Sequence, residues 1–266
     1  MKKIFLPFLL LAMIFSGCRK IIDVDIDNAT SQVVIEGKIV NQLADQTIKL
    51  SKSVALNEPS VYPKISGATV TVTDSRGNNY TFRETVSGTY VNRMTGVPGV
   101  TYHLKVLAEG QTYEASSTMP NRVPLDSIGV VKNSFFGEES LTAAAYLKDP
   151  AGETNYYHFT VFVNSLFIKR IYVNNDRLTN GNNLRVQFYY NTDDDGVEDL
   201  KSGDRVNVEM NCIDANIFDY WYSLSQQSGN GPNQGTTPSN PPSNLSNNAL
   251  GYFSAQTTQR RVITVP

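Results

Sequence analysis

The sequence predicts a mainly β protein: an N-terminal β-sandwich, then a second β-rich domain carrying one short helix. Composition is the first sign, with 14 Tyr and 12 Phe among 266 residues and abundant Val and Thr, residues that suit pleated, half-buried surfaces. Short runs of alternating polarity are the second. Gly, Asn and Asp clusters between those runs, placed where tight turns are needed, are the third.

The elements can be taken in order. In SQVVIEGKIV, Val33, Ile35 and Ile39 fall on one face. In GATVTVTD, Ala68, Val70 and Val72 share a face while Thr69, Thr71 and Thr73 take the other. DSRGN at Asp74 to Asn78 is a turn before NYTFRE; Tyr102, Leu104 and Val106 then alternate with His103 and Lys105; Glu109-Gly110 turns the chain into QTYEASST. Six or seven such strands over 31–119 argue a sandwich. GATVTVTDSRGNNYTF, SGTY at Ser87 to Tyr90, PGVTYHLKV and GQTYEAS together resemble the transthyretin-like and carboxypeptidase-regulatory-like modules common in envelope proteins of Bacteroidota. That resemblance implies an Ig/transthyretin-like sandwich and no particular activity, since such modules serve as spacers, docking platforms and plugs.

MPNRVPLDSI, with two prolines, marks a linker or an edge crossing, and a second β-rich domain is expected over 120–266. AAAYLKDPAGETNYYHFTVFV reads as strand, turn at Asp149 to Gly152, and strand, with Tyr157, Phe159, Val161 and Val163 on one face. LRVQFYYN and DRVNVEMNC read as strands. Asp214 can cap a short helix over 215–227 in which Ile217, Tyr220, Trp221 and Leu224 form an apolar stripe, a face for core packing with a sugar-stacking platform as the alternative. Residues 228–248, SGNGPNQGTTPSNPPSNLSNN, hold no charge and one apolar residue. They read as a long irregular surface loop, followed by a strand-like C-terminus that brings the chain back into the second domain.

The N-terminus has another character. Lys2 and Lys3 precede an apolar run from Ile4 to Phe15, then Ser16, Gly17 and Cys18. The run is too short for a bilayer core, which needs about 20 residues, and has the layout of a secretory signal. FSGC resembles the lipobox of bacterial lipoproteins. The expectation is therefore a signal peptide over 1–17 that is removed, lipid on Cys18, and a tether over 18–30. Loss of Lys2 and Lys3 moves the formal net charge from −2 to −4, which speaks against nucleic acid as a partner. Cys212, the other of two cysteines, is expected as a small core residue without a disulfide partner once Cys18 is acylated, rather than as a catalytic thiol.

Chemistry is sparsely signalled. Asn191, Asp193 and Asp195, with Gly196, match the start of a calcium loop, but Ser202 stands where a bidentate Glu is wanted and strands flank the segment. A solvated acidic hairpin is the favoured reading and Ca2+ the alternative; no other cofactor is expected. His103 should face solvent and His158 should lie opposite Phe159 and Val161; neither sits in a nucleophile context such as GxSxG, and the two do not form an HxxE-type zinc motif. No enzymatic activity is expected.

The whole order of pieces resembles the lipoproteins of Bacteroidota that carry the domain of unknown function 4249: the lipobox with DVDID soon after, VVIEGKI, the GATVTVTD module, LKDPAGETNYYHF, NIFDYWYSL and PPSNLSNNALGYFSA. The resemblance implies an envelope lipoprotein whose relatives accompany TonB-dependent outer-membrane receptors, and it supplies no catalytic residues. Two functions follow as expectations: an outer-membrane accessory that captures a ligand or docks for such a receptor, or a structural or adhesive envelope protein without a transport role. Arg19 after Cys18, where a retention signal would have aspartate, points to the outer membrane. The staggered acids Asp23, Asp25 and Asp27 match a surface-export signal incompletely and read equally as a short β-strand; the cell surface is favoured slightly over the periplasmic face because a capture role beside a transporter works best outside the cell.

Overall fold

Period-two alternation is what the backbone executes. The computed structural model describes residues 31–55, 58–135, 138–190, 192, 196–227 and 239–266. Cys18 and the candidate loop residues Asn191, Asp193 and Asp195 lie outside these. The first seven strands are β1 (Val33–Val40), β2 (Ala44–Lys52), β3 (Thr69–Asp74), β4 (Asn79–Val86), β5 (Thr89–Met94), β6 (Thr101–Ala108) and β7 (Gln111–Thr118). Their order in space is β1-β2-β5-β4-β3-β6-β7, every pairing antiparallel.

The inward residues of β1, β2 and β5 meet those of β3, β6 and β7 in one apolar cluster that includes Ile35, Ile48, Tyr90, Val72 and Leu104. Two faces of a single ribbon of strands thus pack on each other, which is a β-sandwich. The register slips between Glu84 and Val86 where β4 pairs β5, an irregularity of the kind that lets strands bend. The hairpin between β6 and β7 turns at Glu109 and Gly110, both with positive φ (50° and 78°), the geometry two-residue hairpins require.

The expected turn at Asp74 is built around that carboxylate. Its Oδ1 accepts the N–H groups of Arg76 and Asn78, while Oδ2 accepts from the Arg76 guanidinium, the Asn78 amide and the Tyr80 hydroxyl. Burial alone would raise this carboxyl's pKa, yet these donors hold it well below the usual carboxylate range.

The remaining strands are β8 (Ser127–Phe135), β9 (Glu138–Lys148), β10 (Tyr156–Val163), β11 (Leu166–Phe167), β12 (Tyr172–Asn175), β13 (Asn183–Phe188), β14 (Arg205–Ile213) and β15 (Leu250–Thr264), with helix α1 (Ala215–Gln227) between β14 and β15. β13-β9-β8 form a small sheet, and β11-β10-β14-β15 continue the large one. Between them lies a second apolar cluster that includes Tyr157, Phe159, Val161, Phe188, Val208 and Cys212. Asp214 caps α1 as expected: its Oδ1 accepts the Ile217 N–H at 3.0 Å.

The C-terminal strand departs from the sequence reading. Rather than serving the second domain alone, β15 runs through both. Its residues Leu250–Gln256 pair in parallel with β1, and Thr257–Thr264 pair antiparallel with β14. Phe253 and Ala255 enter the first core and Val265 enters the second. Residues 31–266 accordingly form one compact unit. Period-two patterning identifies a strand but carries no information about its neighbours, which is why the partner strand was not legible.

Candidate functional site

The loop expected over 228–248 is docked in the part the structure describes. Leu245 is buried and forms an antiparallel bridge to Ala115 of β7. Ser246 N–H donates to the Glu114 carbonyl, and Glu114 N–H donates to Ser246 Oγ, both at 2.8 Å. The Asn244 amide donates to the carbonyls of Ser116 and Phe253 and its Oδ1 accepts the Phe253 N–H. Asn247 reaches the Thr112 carbonyl. A polar, Pro-rich segment with one apolar residue cannot make a core, yet its short amides suit the exposed carbonyls of an edge strand. The edge of β7 is closed this way.

Closing that edge creates a groove. The outward faces of β3, β6 and β7 form its floor, residues 243–246 form its wall, and its volume is about 590 Å³. Thr71, Thr73, His103, Lys105, Glu114 and Ser116 line it. Lys105 and Glu114 sit opposite each other in register with 4.0 Å between charged atoms, both well exposed, a pair that contributes little stability and remains available to a ligand. On the far side of the wall a smaller cleft of about 220 Å³ runs between Ser116, Asn216, Asp219 and Pro242. The groove offers hydroxyls, an amide, one imidazole and one charge of each sign, and its lining holds no Phe, Tyr or Trp. It is a hydrogen-bonding surface. Among the described residues no three of His, Cys, Asp and Glu come together to hold a metal ion.

His103 is exposed in this groove, as expected. His158 also lies on the face opposite Phe159 and Val161, but that face is covered by α1, so it is half-buried. Its ring stacks on Trp221 at 4.7 Å and 9°. Ile217 and Tyr220 of the stripe are buried, as is Phe218 beside it, and Trp221 and Tyr220 pack against Tyr252 of β15. This is the packing reading of the helix. Alternation showed which face His158 occupies; nothing in the local sequence shows that a helix returns to cover it. Cys212 is buried in β14, and burial pushes its thiol pKa up.

Burial lowers the His158 pKa from 6.5 to about 4, aided slightly by Lys38 and opposed by Glu209. As pH falls from 6.5 toward 4, the unfolded chain takes up a proton that the folded protein refuses, so this residue subtracts stability across that window and no further below it. The thermal midpoint should decline from pH 7 to pH 4.5, and the slope should flatten in His158→Gln. Identical slopes would mean that His158 is protonated as readily in the folded state.

Sheet continuity, a closed edge and a polar groove define a mainly β protein of sandwich type in which one C-terminal strand joins two cores. The chain belongs to the family of the domain of unknown function DUF4249, whose model matches residues 19–261. No curated protein matches the sequence.

Proposed function

We propose that this protein is an outer-membrane lipoprotein, anchored by lipid on Cys18 and facing the cell surface, that captures a ligand or docks as an accessory to a TonB-dependent uptake system. Its N-terminal sandwich is read as a transthyretin-like module of the kind found in Bacteroidota envelope proteins. The observation that carries the capture role is the groove walled by residues 243–246, part of the segment PPSNLSNNALGYFSA. A wall held to an edge strand by several side-chain amides gives the groove a defined shape beside Glu114 and Ser116 of that strand, which favours binding over mere display. No helix among the described residues is long and apolar enough to cross a membrane, and the reading gives attachment to the acylated cysteine. No catalytic role is assigned.

Copurification from detergent-solubilised membranes followed by mass spectrometry tests the partner. A TonB-dependent receptor should be recovered with the tagged protein. Recovery of matrix or host material without a receptor would support the structural or adhesive role instead. Protease added to intact cells tests the face: degradation only after lysis would place the protein on the periplasmic side and remove the main support for capture.

A further inference from the structure

Two loops of the second half are tied to each other and bury the side chains of Asp149, Asn155 and Asp176. One is Asp149 to Asn155, the turn DPAGETN; the other is Asp176 to Asn182, DRLTNGN. They are tied by the Asp149 N–H to the Asn182 carbonyl, the Asp176 N–H to the Asn155 carbonyl, and the Gly152 N–H to Asn180 Oδ1 at 3.1 Å. Asp149 is 1 % exposed and Asp176 2 %. Among the described residues neither forms an ion pair.

The contrast with Asp74 is informative. That buried carboxylate has a guanidinium on it. Among the described residues, Asp149 accepts from the Tyr157 hydroxyl and, through Oδ2, from the Gly181 N–H; Asp176 Oδ2 accepts the Asn155 N–H at 2.9 Å. Each carboxylate keeps lone pairs beyond these bonds. A buried carboxylate without a cation is costly, and proteins resolve it with a paired cation or a metal ion.

A second observation points the same way. Asn155 is 5 % exposed, its backbone N–H is bound to Asp176, and its side-chain Oδ1 is buried with no hydrogen-bond partner. Thr179 Oγ1, three residues after Asp176 and linked to it by the Thr179 N–H to Asp176 carbonyl bond at 2.8 Å, is buried and unpartnered too. Two buried oxygens without a partner thus stand on the same pair of loops as two buried carboxylates that lack a cation among the described residues.

We propose that Asp149, Asp176, Asn155 and Thr179 form a calcium site. Calcium is a hard cation that takes six to eight oxygens from carboxylates, amide and backbone carbonyls and water. Two carboxylates match its charge, and the neutral oxygens on two irregular loops suit its flexible coordination. Magnesium demands near-ideal octahedral geometry and retains its waters, so it binds this site more weakly. The ion cross-links the loops that lead into β10 and β13.

The test is the thermal midpoint of the full chain in EGTA and in calcium chloride. Calcium at a hundredfold excess over its dissociation constant should raise the midpoint by roughly 5–10 °C, and magnesium at the same concentration by less. Asp176→Asn keeps an acceptor for the Asn155 N–H but removes the charge; it should match or exceed the wild type in EGTA and lose the calcium response. Thr179→Val should weaken the response. An unchanged wild-type midpoint overturns the site, and so does a calcium response that survives Asp176→Asn but disappears in Asp193→Asn/Asp195→Asn. If Asp176→Asn does not fold, terbium luminescence in the Asp193→Asn/Asp195→Asn background decides. Emission sensitised through Tyr157 and displaced by calcium is expected, and its absence sinks the proposal.

Discussion

Alanine at Gly251 should destabilise the protein by more than about 3 kcal/mol, the range reserved for backbone conflict and core disruption. Two costs coincide there. Gly251 has φ +93°, where an L side chain is strained, and a Cβ would stand 2.1 Å from the Ile35 carbonyl oxygen and 2.9 Å from its carbon. Both are backbone atoms of the paired strand β1, so no rotamer change relieves the overlap. The strands must separate, and the parallel pairing of β1 with β15 is lost with them. Gly77→Ala is the matched control: its φ is +91° but nothing lies within 4 Å, leaving only the conformational term of about 1 kcal/mol. Urea denaturation of both variants makes the comparison. Equal effects would mean that β15 does not approach β1 so closely in solution.

Cys18→Ala should abolish incorporation of labelled fatty acid and shift the protein from the membrane fraction to the soluble one. The proposed anchor is the sole attachment in this reading, so the effect is all or none. Each buried CH2 contributes about 0.8 kcal/mol, and two or more chains hold where one is marginal. Undiminished labelling in the variant would end the lipoprotein assignment.

Local patterns made most of the elements legible in the sequence. The faces of β1, β3, β6 and β10, the turns at Asp74 and Glu109-Gly110, and the Asp214 cap all depend on residues a few positions apart, and each is found where the sequence places it. The groove was not legible. Its floor consists of the outward residues of a predicted sandwich, but its wall comes from 243–246, more than a hundred positions from Glu114. Composition correctly denied that segment a core of its own; it could not show that the segment's amides serve another strand's carbonyls. The same reason hid the cover over His158. Leu245, the one apolar residue of the polar run and a few positions before the strand-like GYFSAQTT, was the available signal.

The course of β15 bears on how the chain reaches its native state. Gln42 contacts the Thr258 carbonyl across 216 positions of sequence, and Gln32 reaches Asn248 across the same separation. Contacts of such long range close large loops before they return any free energy, and folding is slow when they are obligatory. Neither apolar cluster is complete until Phe253, Ala255 and Val265 are in place. A ribosome-bound chain lacking residues beyond about 250 therefore has two unfinished cores and an exposed β1 edge. Collapse to the native state is deferred until β15 arrives, and removal of that strand should yield an aggregation-prone product rather than one folded half.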